Sequence, residues 1–186
     1  MKVFRLDPDY DRFHNFALVD ETKATIYDRF DGKPMTAEWK VLDVMAVDTD
    51  DELAVLGDHA VLGTVPVLSE RAVIALTDVL QANGELLPVL HGKARYFAFN
   101  VTTVVNALDP SHAKVKRFSS GRVMAVDEFA FIPERLHRLT IFKIPELRRG
   151  FVFVTDAFVD RVRAAQLQGF EFQEIWSYDP TLNAPG

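Results

Sequence analysis

Two clusters of acidic residues in the first third of the chain have a type and spacing that could do chemistry. The denser cluster holds Asp48, Asp50, Asp51 and Glu52. The sparser cluster holds Asp7, Asp9 and Asp11. Closely spaced carboxylates can bind calcium, whose loop also needs a glycine at its sixth position and a glutamate at its twelfth. Counted from Asp48, those positions hold Leu53 and His59, and the sparser cluster departs from the pattern as well, so neither fits a calcium loop.

Other side chains that commonly carry catalysis are absent or isolated. The chain has no cysteine, which excludes thiolate metal sites, iron–sulfur ligation and cysteine nucleophiles. None of its five histidines lie three to five residues apart, so the spacing typical of zinc ligands does not occur. No serine lies in a G-x-S-x-G elbow, and no glycine-rich phosphate loop is present. The sequence favours a binding protein over an enzyme, and we expect no metal and no cofactor.

The net charge of −6 conceals opposite charges in two parts of the chain. Residues 1–58 carry 7 basic and 14 acidic side chains, a local net charge of −7. Residues 114–149 carry 9 basic and 4 acidic side chains, a local net charge of +5. An acidic surface attracts a basic partner and accelerates its association. Charges interspersed over an ordinary solvated surface would give the same totals, so both interpretations stay open.

The basic segment 114–149 interleaves phenylalanines with lysine and arginine, as platforms for single-stranded nucleic acid do. These phenylalanines also alternate as they would in strands with one buried face, and the chain as a whole is acidic. Nucleic-acid binding is therefore disfavoured. The chain holds 15 phenylalanines, and we expect most of them in the core rather than at a contact surface.

Length and composition predict one globular domain, with 186 residues of which 48% are hydrophobic and 26% charged. Two segments, about 69–81 and 155–167, show the apolar periodicity of helices. Both begin at a residue that can cap a first turn, Ser69 or Thr155, and both end before a glycine. We predict an α+β domain with these two main helices.

Short apolar runs between turn signals predict strands, which we expect to form a mixed or antiparallel sheet. The predicted strands cover residues 1–6, 39–47, 85–90, 96–101, 140–144, 151–154 and 170–176, with a hairpin at 115–118 and 122–132. Residues 53–68 are predicted as irregular or short extended pieces, because glycine and proline interrupt them.

No segment predicts contact with a membrane. A long uncharged stretch, Tyr96 to Leu108, is far shorter than the ~20 apolar residues that a spanning helix needs. The first residues are charged within one turn and lack the apolar region of a signal peptide. Together with the absence of cysteine, these features lead us to expect a cytoplasmic protein.

The order of motifs from about residue 65 onward resembles a known family. The motifs are Val65–Ala72, Gly84–Val89, Tyr96–Val101, Ala107–Asp109, Ile141–Leu147, Val152–Asp156 and Gly169–Phe172. In this order and spacing they resemble immunity-protein family eleven of bacterial polymorphic toxin systems, long catalogued as a domain of unknown function. The resemblance covers residues 65–177 and divides one domain, 1–186, into an acidic N-terminal part (1–64), a family-like core and a frayed tail (178–186).

The resemblance implies an immunity protein that binds and neutralises a cognate toxin, itself without catalysis. It supplies no site residues, so the contact surface is predicted from charge alone. Our first choice is Asp48, Asp50, Asp51 and Glu52. The second choice is Asp7, Asp9 and Asp11, and the toxin is expected to be basic. A small-ligand sensor with a phenylalanine-lined cavity, or a hydrolase with carboxylates from separate loops, remains an alternative.

Overall fold

A computed structural model describes residues 1–47, 55–179 and 181, and strands make up most of its regular structure. The strands are β1 (Lys2–Pro8), β2 (Asn15–Leu18), β3 (Leu42–Val47), β4 (His59–Leu62), β5 (Val65–Ser69), β6 (Gly84–His91), β7 (Ala94–Val101), β8 (Lys114–Arg117), β9 (Val123–Glu128), β10 (Ile141–Phe142), β11 (Phe153–Thr155) and β12 (Phe170–Ser177). The α-helices are α1 (Glu70–Ala75), α2 (Thr77–Asn83) and α3 (Asp156–Ala164). Short 3₁₀ helices cover Glu21–Arg29, Thr36–Glu38, Pro133–Arg135 and Pro145–Leu147.

Six strands close into a barrel in the order β2-β3-β6-β7-β5-β4. The β2–β4 and β3–β6 pairs are parallel and the others antiparallel. Strand β3 shows the alternation that closure requires, because Leu42 and Val44 are buried whereas Asp43 and Met45 are exposed. Apolar side chains from all six strands fill the interior.

A second, antiparallel sheet has the strand order β10-β11-β1-β12. The three α-helices share a hydrophobic cluster with side chains of this sheet, such as Val154, and of the barrel, such as Phe99. The barrel and the second sheet therefore have a continuous apolar core between them. A third, two-stranded sheet, β8–β9, covers a cluster rich in aromatic rings around Phe131 and Phe153.

The predicted α+β class is confirmed, and the first predicted helix is confirmed with changed bounds. Ser69 accepts a hydrogen bond from the backbone N–H of Ala72 at 3.1 Å, as an N-cap does. The helix breaks at Leu76, so that α1 and α2 are separate, and α2 extends to Asn83. The Thr77 hydroxyl donates to the carbonyl of Val73 at 2.6 Å, a bond of the kind that bends helices.

The second predicted helix, α3, also forms, but its first turn differs from the expectation. Thr155 stands at the N-cap position, yet its hydroxyl donates to the carbonyl of Leu139 at 2.8 Å instead of accepting from the helix. Because Thr155 is buried beside β10, this tertiary bond replaces the local one. The helix ends at Ala164, three residues before the predicted end.

Several strand predictions need correction. For residues 53–68, predicted as irregular or short extended pieces, the extended alternative is confirmed from residue 59 onward, since β4 and β5 form an antiparallel hairpin that turns at Gly63, whose φ is +65°. Strand β2 and the 3₁₀ helix Glu21–Arg29 had no clear sequence pattern. The expected single sheet is a barrel, a sheet and a hairpin. In the predicted tail, the backbone N–H of Tyr178 donates to the Met1 carbonyl at 2.9 Å. Residues 180 and 182–186 lie outside the described residues.

Over the described parts of the chain, no helix is both long enough and apolar enough to cross a membrane.

Candidate partner-binding face

The structure describes the residues on both sides of the acidic segment 48–52. The predicted contact residues Asp48, Asp50, Asp51 and Glu52 lie outside the described residues. Before them, Val47 pairs with Asn15 of β2. After them, Val55 bridges to Phe13 and accepts a hydrogen bond from the His14 backbone N–H at 3.0 Å. The described residues on both sides of the segment, Val47 and Val55, therefore pair with residues 13–15.

The second acidic cluster adjoins the same place. Its residues lie at the end of β1 and in the turn that leads into Phe13. Asp7 accepts from the Arg5 guanidinium at 2.7 Å, and Asp9 accepts from that of Arg12 at 2.7 Å, whereas Asp11 is exposed. The second cluster therefore lies next to Phe13, although the chain's own arginines partly neutralise it. Such partly exposed ion pairs are weak, so a partner's cation could compete for these carboxylates.

Exposed apolar side chains concentrate on and around β3. Eleven large hydrophobic side chains are exposed among the described residues, and five of them lie on β3 or next to β2 and β3. These five are Val19, Val41, Met45, Val47 and Val55, with 44–59% of their surface exposed. Alternation explains Met45 and Val47, because residues of β3 at odd positions point away from the barrel interior. Grouped apolar exposure with a charged surround is typical of protein–protein contact surfaces.

We name the combination of Asp9, Asp11, Val19, Met45, Val47 and Val55 the acidic–apolar face. A groove of about 560 Å³ lies at its β3 end, lined by side chains that include Ile26, Trp39 and Val41. The Trp39 indole N–H donates to the Pro88 carbonyl at 3.0 Å, so the barrel holds this ring in place. The face therefore offers a partner both the exposed apolar side chains of β3 and the adjoining groove.

Buried polar groups elsewhere in the chain hold elements together. The Asp58 carboxylate accepts hydrogen bonds from the Ser69 hydroxyl at 2.7 Å, the Arg71 guanidinium at 2.6 Å and the Gln168 backbone N–H at 2.9 Å. Arg71 in turn donates to the carbonyls of Ala165 and Gln166, at the end of α3. This network ties the barrel to α3. Sequence analysis missed it, because the partners of Asp58 are up to 110 residues away.

His59 is a core residue rather than a catalytic base. It is buried, its ring stacks on Phe170 at 4.7 Å between centroids, and its Nδ1 lies 3.2 Å from the Gly169 carbonyl oxygen. Burial lowers the pKa of the imidazole from 6.5 to about 4, so the ring is neutral near pH 7.

Lys143 is the other buried titratable group with a large shift. Its ammonium donates to the carbonyls of Phe30 and Arg148, each at 2.8 Å, where two 3₁₀ helices end. Burial lowers the pKa of Lys143 to about 8, and the nearby charge of Asp31 opposes that shift. Because the two bonds reach the ends of two different 3₁₀ helices, Lys143 holds these helices together and has a structural role. Across the described residues, no group of three or more His, Asp or Glu side chains could hold a metal ion.

Grouped exposed apolar side chains, such as those on and around β3, are a feature of interaction proteins. Comparison with known proteins finds one family model that matches part of the chain. Residues 90–177 match the model described as Immunity protein family (Imm11), which confirms the resemblance, although the match begins at residue 90 rather than at about 65. No curated protein matches the chain. The matched region runs from the end of β6 through β12, and the acidic–apolar face lies in the part of the chain before it.

Proposed function

We propose that this chain is an immunity protein that binds and neutralises a cognate bacterial toxin in the cytoplasm, without catalysis of its own. The observation that carries the proposal is the match of residues 90–177 to an immunity protein family. Exposed apolar side chains on and around β3 support a role in binding a protein.

The acidic–apolar face is the proposed toxin contact. Stable complexes bury about 1,200–2,000 Å² around a desolvated centre with a polar rim. Met45, Val47 and Val55 would form that centre, since all three are exposed, Val47 and Val55 lie on either side of the acidic segment, and Met45 points to the same side of β3 as Val47. The carboxylates of residues 48–52 would form the rim and steer a basic toxin, because opposite charges accelerate encounter.

The steering role is testable with a variant that removes the charge but keeps the size of each side chain. We expect Asp48→Asn, Asp50→Asn, Asp51→Asn and Glu52→Gln together to slow association with the toxin by about 10-fold at low salt. The rate of the variant should also depend less on salt, since fewer charges attract the toxin. Stopped-flow mixing with a purified candidate toxin measures both quantities.

A matched control neutralises four exposed carboxylates outside the face: Glu134, Asp160, Glu171 and Glu174. This control should associate like the wild type. Equal rates for the wild type and the variant of residues 48–52 would contradict the proposed steering. A toxin that binds neither the wild type nor the control would contradict the immunity function itself. Failure of the steering proposal and failure of the immunity function are therefore distinguishable.

A further inference from the structure

The hairpin β8–β9 is a sheet with free edges. Its strands pair with each other, and the bridge between Leu108 and Phe131 continues the ribbon toward the core. Within the described residues, neither strand has a second neighbour. A free edge presents unpaired backbone N–H and C=O groups to which another strand can add.

The edge strand β8 is strongly basic. Its residues are Lys114, Val115, Lys116 and Arg117. The two lysines make exposed ion pairs across the hairpin, with Glu128 and with Asp127. Arg117 donates to the Gly121 carbonyl at 3.0 Å and forms no ion pair within the described residues. Lysines on an edge oppose the addition of a basic strand, whereas an acidic strand would complement them.

The tip of the hairpin adds apolar surface. Phe118 is 40% exposed and Met124 is 51% exposed. The Arg122 guanidinium lies 4.9 Å from the centroid of the Phe118 ring, and Arg122 likewise forms no ion pair in the described part of the chain. An aromatic ring with a cation over it can hold an apolar side chain and a carboxylate of one ligand together.

Two grooves beside the hairpin are lined by arginine. One, of about 510 Å³, runs along β8 and has Arg117 and Arg135 in its wall. The other, of about 540 Å³, has Arg122, Arg148 and Arg149 in its wall. Asp31 and Glu146 are the acidic residues in these walls, so the positive charge exceeds the negative. The grooves therefore suit carboxylates better than cations.

We propose that β8 and these arginine-lined grooves bind an acidic, extended segment of a partner protein by strand addition. The surface is separate from the acidic–apolar face, so the proposal goes beyond the toxin contact and does not depend on it. A protein segment is favoured over nucleic acid, because only a polypeptide has backbone N–H and C=O groups that can pair with the free edge of β8. A polypeptide can also place apolar side chains on Phe118 and Met124.

The test uses the full chain and three fluorescent probes. They are a peptide of about twelve residues that alternates glutamate with valine, the same peptide with lysine for glutamate, and a single-stranded RNA of about the same length. We expect the glutamate peptide to bind and to weaken as salt rises. The lysine peptide and the RNA should bind about 10-fold less tightly or not at all. Backbone amides of residues 114–117 should shift in NMR spectra.

Substitution locates the site. Arg117→Glu with Arg122→Glu should lower affinity for the glutamate peptide by about 10-fold, and the milder Arg117→Gln with Arg122→Gln should lower it less. The control, Lys93→Glu with Arg163→Glu, changes two exposed cations outside the grooves and should leave affinity unchanged. Tighter binding of RNA, equal binding of the lysine peptide, unperturbed amides in β8, or unchanged affinity in both arginine variants would overturn the proposal.

Discussion

Burial sets the protonation of single residues in this protein. His59 lies against Phe170 in the core, where a charged ring would have no water around it. Its pKa of about 4 in the folded protein is lower than the value of 6.5 it would have when exposed. The unfolded chain therefore binds a proton more readily than the folded one. The stability that His59 contributes is complete above pH 6.5 and is lost as pH falls toward 4.

Substitution of His59 tests this linkage. Phenylalanine keeps a ring on Phe170 and cannot bind a proton. Between about pH 7.5 and pH 4.5, the wild type should lose about 2–3 kcal/mol more unfolding free energy than His59→Phe. Urea denaturation at the two pH values measures the difference, and the carboxylates common to both proteins cancel. Equal losses would show that the ring is not kept neutral by burial.

At the scale of elements, the junction between α2 and β6 allows almost no space. A Cβ atom at Gly84 would lie 2.2 Å from the Asn100 carbonyl oxygen and 2.8 Å from the Phe99 ring. Backbone forms one side of this contact, so the clash cannot be relieved by turning a side chain. Only glycine lets α2 pass directly into the barrel here.

We therefore expect Gly84→Ala to destabilise the protein by about 2–3 kcal/mol or more, since the strand must move to admit the methyl group. Gly150→Ala is the matched control, because its nearest contact would be an ordinary 3.7 Å. The control should change stability by less than about 0.5 kcal/mol. Urea denaturation of both variants measures this, and a Gly84→Ala protein as stable as the control would contradict the close approach.

Local signals predicted elements better than their arrangement. The cap at Ser69 lies next to the helix that it starts, so the sequence shows it directly. The closure of the barrel depends on pairs such as Phe16 with Leu62, which lie far apart along the chain and leave no local pattern. The break at Leu76 likewise interrupts a periodicity that is continuous in sequence.

The candidate face was predictable in its charge and not in its apolar part. The acidic clusters are evident in the sequence, whereas the contacts of Val47 and Val55 with residues 13–15 are visible only in the structure. Val44 and Met45 are both apolar, yet one is buried and the other is 49% exposed. Hydropathy alone does not distinguish these two positions, because the pairing register of the strand decides which of the alternating side chains faces the barrel interior.

At the scale of the whole molecule, the phenylalanines serve mainly the core. Eight of the 15 are buried, and seven of these are distributed over the three hydrophobic clusters. Aromatic packing thus explains most of the excess seen in the composition. The charges are distributed differently: Asp9 and Asp11 lie in the turn before Phe13, and arginines line the grooves beside β8.

The central claim, that the acidic–apolar face neutralises a toxin, is tested most directly by titrating the activity of a purified candidate toxin with purified protein. The wild type should abolish the activity at about equal molar amounts, as a stable complex does. Met45→Arg places a like charge at the centre of the face and should raise the required concentration about 10-fold or more. Ile74→Arg, at a position 72% exposed on α1, should inhibit like the wild type. Full toxin activity in excess wild-type protein, or equal inhibition by Met45→Arg, would contradict the claim.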